Sequence, residues 1–487
     1  MRKKFQPYNI TAQSFEHQIP QDELMLACQQ IFTRQLCQKL NKKQPSTVRA
    51  KLPIQVIVAV TLFSVVSKAR SFSAVFATLY RSGFWFIKSI QVTKSSFYER
   101  LSCFSSEIIL WLLNHLTPTL RQSTQKFANS HPIFKWVRFT SRVFSIDDTV
   151  LEQIKRVYFL DNKKRKTVLP GRLTAIFDLC TGMFHHVSFC QNPRENELHH
   201  ARENLESLPS GSLILCDLGF FSFSFFDWLT QHFTYFVSRM KANTSVEVIE
   251  EYVNNNKVRD RLVWLGVYRS NQAAYPVRYV ELFIDGEWWG YITNMLDPKQ
   301  FPAHHVYATY KQRWEIERCF SVLKVTLGMR NLFLSSINGI KWQIWSTFLA
   351  YQLIQTVRCK LAGKLKVQPD CISWTNFFTA HESYYREAVG RTKKSFLNWV
   401  VAHRNNLNIV LNRKRSQRKN PDFAKGFDAF YDEVTFHPES WPEPRKPRYS
   451  SQVGLEGNKP PCRKVEIRKV KMVVKKGKRN RKVRSFP

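Results

Sequence analysis

Acidic side chains are scarce in this 487-residue chain. Asp and Glu number 37 against 74 Lys and Arg, for a formal charge of +37 and a pI near 10.0. A surface this positive attracts polyanions, nucleic acid first. An acidic membrane is the weaker fit, because the basic residues do not flank a lipid-facing segment. Long apolar runs are missing too. The longest, LPIQVIVAVTLFSVVS at 52–67, falls short of a bilayer span and contains Gln55 and Ser64, so it predicts a buried helix and no membrane partner. The ten cysteines form no C-x-x-C and no matching C-x-x-H. That argues against a disulfide framework or zinc module and for buried thiols in a reducing compartment. Three histidine pairs occur, His185-His186, His199-His200 and His304-His305, but adjacent side chains diverge and no third ligand stands at helpful spacing, so zinc is not expected. The N-terminus is basic without an apolar stretch or small-residue cleavage site, which predicts a soluble, non-exported protein.

What the chain does contain is material for a large core. Hydrophobic residues make up 44%, aromatics 14%, and Phe alone numbers 38. That composition suits a globular protein of about two to four structural units. Residues 1–135 carry three- and four-residue apolar spacing, as in DELMLACQQIFTRQLCQKL and SEIILWLLNHL, and predict a helical N-terminal region. Within it, SFSAVFATLYRSGFWF and VTKSSFYERLS suggest a helix, a Gly-containing turn and a second helix starting at Thr93 or Ser95. Such a pair suits DNA binding, and equally suits two packed helices. From Val143 the texture changes to short β-rich runs, VFSID, LTAIFDL, MFHHVSFC and SLILCD, with helical patterning near 195–207 and 222–232 and a further strand at YFVSRM. The expected class is α/β, with an α/β domain at 136–360 and a β-rich insertion near 242–294. A C-terminal helical region at 361–440 and a basic, flexible tail at 441–487 follow. The last 26 residues hold twelve Lys and Arg against one Glu, a plausible non-specific DNA arm.

YKQRWEIERCFSVLK, 310–324, is the densest cluster of functional side chains. At about 100° per residue, Tyr310, Arg313, Glu317 and Lys324 fall within roughly 60° of one another, on a stripe roughly 20 Å long. Ile316, Phe320, Leu323 and Leu327 form the neighbouring apolar stripe, whereas Glu315 projects away from the polar line. The polar stripe thus borders the buried face, where a cleft would lie. An i,i+4 Arg–Glu pair alone is more often a modest surface ion pair.

Two more motifs precede it. VFSIDDT is a hydrophobic strand ending in Asp-x-Thr, Asp147 to Thr149, and LILCDLGFFS is a strand ending at Asp217 before Gly-Phe. Thr293-Asn294-Met295-Leu296 stands shortly before the helix. With the spacing Y-x2-R-x3-E-x6-K, this set resembles the DDE transposases of bacterial insertion sequences, the cut-and-paste family with the Tyr-Arg-Glu-Lys signature, over about residues 140–335. The resemblance implies an RNase H-like mixed sheet. It also implies a catalytic, metal-binding triad Asp147, Asp217 and Glu317 holding two Mg²⁺ ions, or Mn²⁺, and DNA-backbone contacts from Tyr310, Arg313 and Lys324. Strand alternation separates Asp147 from Asp148: Asp148 shares its side with Phe144 and Ile146, Asp147 with Ser145, and Asp147 is preferred. Asp178, in FDLCTG, has the context of a hairpin turn.

The activity implied is binding of terminal inverted repeats, metal-dependent cleavage, and joining of the ends to target DNA, by a dimer on double-stranded DNA in the bacterial cytoplasm, associated with the nucleoid. Members of this kind flip a base at the excised end; Trp288 or Trp289 could stack it, although a buried hydrophobic pair is the plainer expectation. The alternatives are a domesticated, non-catalytic DNA-binding protein and a metal-dependent nuclease without strand transfer.

Overall fold

Strand alternation and helical spacing between Val143 and Leu365 assemble into one large mixed sheet with helices on both faces. The computed structural model describes residues 22–449, leaving out 43–51, 70, 82, 84–86, 88, 141, 152–158, 161–165, 168–170, 191–196, 268–270, 331, 333, 335, 385–393, 412–425, 437 and 439–441. The first 21 residues and the basic segment 450–487 therefore lie outside the described residues.

The core strands are β1 (Val143–Val150), β4 (Arg172–Asp178), β5 (Met183–Cys190), β6 (Leu213–Cys216) and β7 (Tyr235–Arg239); β2 (Phe159–Leu160) and β3 (Lys166–Thr167) form a separate ribbon. Four later strands, β8 (Val246–Asn254), β9 (Val258–Leu265), β10 (Val277–Ile284) and β11 (Glu287–Thr293), extend the same sheet, so its nine strands run β5-β4-β1-β6-β7-β11-β10-β9-β8. β1 pairs antiparallel with β4 but parallel with β6, and β6 parallel with β7. This is the RNase H-like mixed sheet that the resemblance implies. The β-rich insertion is no separate module: β11 returns antiparallel to β7 and the ladder continues.

Alternation sorts the side chains of β1 as the period of two demands. Phe144 and Ile146 join Ile214, Cys216 and Phe236 in a core beneath α7 (Glu197–Leu205) and α8 (Phe223–Gln231). Val143 instead faces the other core, with Leu213, Leu215 and Val237, under α9 (Ala303–Lys311) and α10 (Trp314–Ser321).

The N-terminal helices are α1 (Glu23–Gln30), α2 (Arg34–Lys42), α3 (Ile54–Val66), α4 (Phe72–Arg81), α5 (Lys94–Cys103) and α6 (Glu107–Asn129). The apolar run becomes α3, nearly all of it buried, with Gln55 Nε2 donating to the Cys37 carbonyl at 3.3 Å. Thr93 caps α5 by accepting from Ser96 N, but residues 82–93 make a longer link to α4 than a helix-turn-helix uses. The long α11 (Ile337–Leu365) packs against α1, α3, α6 and β5, and α12 (Trp374–Ser383) and α13 (Phe396–Ala402) follow. No helix among the described residues is long and apolar enough to cross a membrane. Cys28, Cys37, Cys180, Cys216, Cys319 and Cys359 are buried thiols outside any disulfide.

The Thr-Asn step has a structural task. Asn294 Oδ1 accepts from Phe236 N at 2.9 Å, while its amide donates to Thr230 Oγ1 and the Thr234 carbonyl at 3.1 and 3.0 Å. It ties the exit of β11 to the start of β7. Asn294→Ala strands that backbone N–H, and the expected loss is about 1–2 kcal/mol in urea unfolding.

Candidate active site

Register alone brings the two aspartates together. In the parallel β1–β6 pair the last matched residues are Ile146 and Cys216, so Asp147 and Asp217 come next on adjacent strands, about 4.8 Å apart in the sheet. The β6–β7 pairing ends on Cys216 and Ser238, which sets Arg239 beside Asp217 in the same row. These are carboxyl ends of parallel strands, where α/β sheets leave a crevice.

Glu317 arrives from above on α10. The stretch 310–324 is not the continuous α-helix that its spacing suggests. α9 ends at Lys311, a turn through Gln312 and Arg313 follows, α10 runs from Trp314 to Ser321, and Val322–Thr326 is a π turn. The break turns the chain so that Arg313, 6% exposed, points down at the strand ends while Ile316 and Phe320 pack on the core. A π turn shifts every later residue around the axis, so the angular placing of Lys324 does not carry over. Its Nζ donates to the Val150 carbonyl at the end of β1, 3.0 Å away.

One guanidinium gathers the three acids. Arg313 approaches Glu317 at 2.7 Å, Asp147 at 3.4 Å and Asp217 at 3.9 Å. Asp148 turns to the opposite face and pairs with Arg172 at 3.6 Å, as the alternation requires. Glu315 pairs with Arg318 on the solvent side, away from the cluster. Asp217 makes no side-chain cap to the 3-10 turn that follows it, which leaves its carboxylate for the crevice. Asp178 is fully buried: it closes its turn by accepting from Cys180 N and Thr181 N, and it is neutralised by Arg121 and Arg142.

Burial pushes the Asp147 carboxyl up to about 7; Arg313 and the Asp148 N–H oppose that, while Glu317 and Asp217 add to it. The donors converging here are three carboxylates, hard oxygen ligands of the type that holds Mg²⁺ or Mn²⁺, and a single cationic group already bridges all three. The residue set fits a divalent ion.

The Tyr310 ring packs 5.1 Å from that of Tyr291, and its hydroxyl is buried beside Arg313. Trp288 and Trp289 are half-buried rather than a buried pair, and each is covered by an arginine: Arg259 at 4.2 Å, Arg239 at 4.5 Å. Two further candidates escaped the sequence reading. Arg239 gives no local signal beyond ending a strand, and only the β6–β7 register sets it in the aspartate row. Trp314, 58% exposed beside Arg313, lies inside the motif stretch but is not one of its spaced residues.

Residues 138–353, the segment that carries this crevice, match the family model described as Transposase DDE domain. The matched segment is a little under half of the chain. The DDE domain spans β1 to the middle of α11 and contains every residue of the cluster. The chain is 24% identical over 157 residues to a putative transposase, y4zB, of Sinorhizobium fredii, covering 31% of this chain and 43% of that protein. It is 26% identical over 183 residues to the transposase InsG for insertion sequence element IS4 of Escherichia coli, covering 35% and 40%. With the transposase for insertion sequence element IS231F of Bacillus thuringiensis it shares 33% over 95 residues, 19% and 20% of the two chains. The chain thus spans less than half the length of these relatives. The insertion-sequence DDE transposases that the three motifs resemble are the family found.

The raised Asp147 pKa has a consequence for the metal-free protein. Between pH 4 and 7 this carboxyl is ionised in the unfolded chain but protonated in the folded one, so folding takes up a proton. Stability therefore falls as pH rises through that window and levels off above about 7. Asp147→Asn removes this slope: thermal melts without divalent ions should show the variant gaining on the parent between pH 4 and 7, and no convergence below pH 4 would refute the burial account.

Proposed function

We propose that the protein is a DNA transposase that binds the terminal inverted repeats of its element, cleaves at their ends and joins them to target DNA. The observation that carries this reading is the convergence of Asp147, Asp217 and Glu317 on Arg313 within the DDE domain. Asp147, Asp217 and Glu317 would hold two Mg²⁺ or Mn²⁺ ions. When bound, such ions activate a water or 3′-OH and stabilise the leaving oxygen at a phosphodiester.

The protein's own residues supply the rest. Asp147, with its raised pKa, gives up its proton when it becomes a ligand, so metal affinity should weaken below about pH 7. Arg313, released from the carboxylates, has a fork that matches phosphate oxygens, and Lys324 adds a point charge at the end of β1. Tyr310 was expected to touch DNA; its enclosed hydroxyl suits a positioning role behind Arg313 better. Exposed Trp314 and the Arg239–Trp289 pair border the crevice and offer flat faces to an unpaired base. Helices of residues 1–135 and the basic segment 441–487 extend the DNA contact, residues 361–440 support the catalytic domain at 136–360, and two copies act on paired ends. The protein works in the bacterial cytoplasm, on the nucleoid.

Oligonucleotides carrying the element's own ends, with Mg²⁺ or Mn²⁺, test this. Nicked and joined products are expected. Nicks without joining would favour a nuclease, and binding without either would favour a non-catalytic DNA-binding protein.

A further inference from the structure

Two histidines that looked unpromising in the sequence acquire a third partner in the fold. His304 and His305 stand in the first turn of α9, and Asp428 opens a 3-10 turn, Asp428–Tyr431, more than a hundred residues later. One ligand atom from each lies within 4.8 Å of the other two. His304 Nε2 is 3.3 Å from Asp428 Oδ1, and the two imidazole centroids are 4.2 Å apart. A tetrahedral Zn²⁺ with bonds of about 2.0–2.1 Å spaces its ligand atoms about 3.3–3.5 Å apart, so the His304–Asp428 pair already has the span of one edge. With His304 engaged through Nε2, the nitrogen left for an ion on its neighbour is His305 Nδ1, buried with no hydrogen-bond partner beside a His304 ring that is only 7% exposed. Buried ring nitrogens without partners are costly to keep, and a ligand recovers that cost.

We propose that His304, His305 and Asp428 form a binding site for one transition-metal ion of the Zn²⁺ class, with a fourth position open to water on the exposed side of Asp428. Two imidazoles and one carboxylate select Zn²⁺ or Co²⁺ over Mg²⁺, which separates this site by chemistry from the all-carboxylate crevice. Phe427 packs at 5.7 Å on the His304 ring and would shield the ion.

The ion would act as a clasp. The 3-10 turn is already docked at the start of α9: Tyr431 Oη donates to Asp260 Oδ2 at 2.7 Å and accepts from Ala303 N at 3.0 Å. Asp260 in turn holds fully buried Arg278, whose Nη1 donates to the Phe301 carbonyl at 2.6 Å. A metal joining Asp428 to His304 and His305 would lock this C-terminal turn to the helix that leads into Tyr310 and Arg313. The inference does not depend on the transposase reading, since it concerns a separate set of ligands.

The test uses the full chain, stripped with chelator and titrated with Co²⁺ in excess Mg²⁺. One equivalent of Co²⁺ with visible d–d absorption is expected, displaced by Zn²⁺, and Zn²⁺ should raise the melting temperature. Asp428→Asn changes an exposed residue, so the chain should fold, and it should weaken Zn²⁺ binding at least tenfold; His305→Ala should do the same. The Asp217→Asn/Glu317→Gln double variant should bind Co²⁺ as the parent does. No stoichiometric complex, equal affinity in Asp428→Asn and His305→Ala, or loss of binding in the double carboxylate variant instead would each overturn the proposal.

Discussion

Glu317→Gln is expected to lower cleavage of cognate ends by about 10³-fold or more while DNA binding survives. The change keeps shape and removes one negative charge, so α10 can persist and Arg313, now 2.7 Å from the carboxylate, can still donate to the amide oxygen. On the proposed reading, what goes is a hard anionic ligand at a site where charge neutralisation of a phosphodiester would be nearly all the protein contributes. Several kcal/mol of transition-state stabilisation correspond to three or more decades in rate. Glu315→Gln, two residues away on the same helix, is the matched control: Glu315 pairs with Arg318 toward solvent and should cost less than threefold. Single-turnover cleavage with both variants separates the outcomes. Full activity in Glu317→Gln would remove Glu317 from the site, and equal loss in both would point to damage to the helix.

Arg313→Ala should produce an opposed pair of effects. Without divalent ions, the side chain is the shared counter-charge of three carboxylates and is itself almost wholly buried. Removing one member of such a cluster leaves uncompensated charge behind. Because Asp217 and Glu317 retain partial exposure, at 42% and 33%, the cost should be about 2–4 kcal/mol, below that of a fully buried pair. The same deletion removes a cation that competes for the carboxylates, so Mn²⁺ should bind the variant more tightly than the parent. Cleavage should nevertheless fall by about 10²-fold or more, through loss of the phosphate fork. Calorimetric Mn²⁺ titration beside thermal melts measures both halves. Weaker Mn²⁺ binding in the variant would mean that Arg313 supports the metal site rather than counterbalancing it.

Much of this site is local in sequence, and for that reason legible. Period-two alternation separates Asp147 from Asp148, and hydrophobic runs place Asp147 and Asp217 at strand ends. The Arg313–Glu317 pair rests on a spacing within one helical turn. In each case the information lies within a few residues and depends on backbone geometry alone.

Other features depend on contacts that no local pattern encodes. The break at Gln312–Arg313 and the π turn at Val322–Thr326 interrupt a stretch whose composition is helical throughout, because packing of Ile316 and Phe320 on the sheet sets where the chain turns. The insertion strands alternate plainly, yet only their pairing with β7 makes them part of the sheet that carries the aspartates. Arg239 enters the aspartate row through register between strands more than twenty residues apart, and Asp428 reaches His304 across more than a hundred. Sequence by itself determined most of the strands and helices and which acids stand at strand ends, since propensity and periodicity are short-range. Only the tertiary structure decided which charges share one guanidinium and which histidines find a third ligand, because those distances follow from how the sheet and helices close on one another.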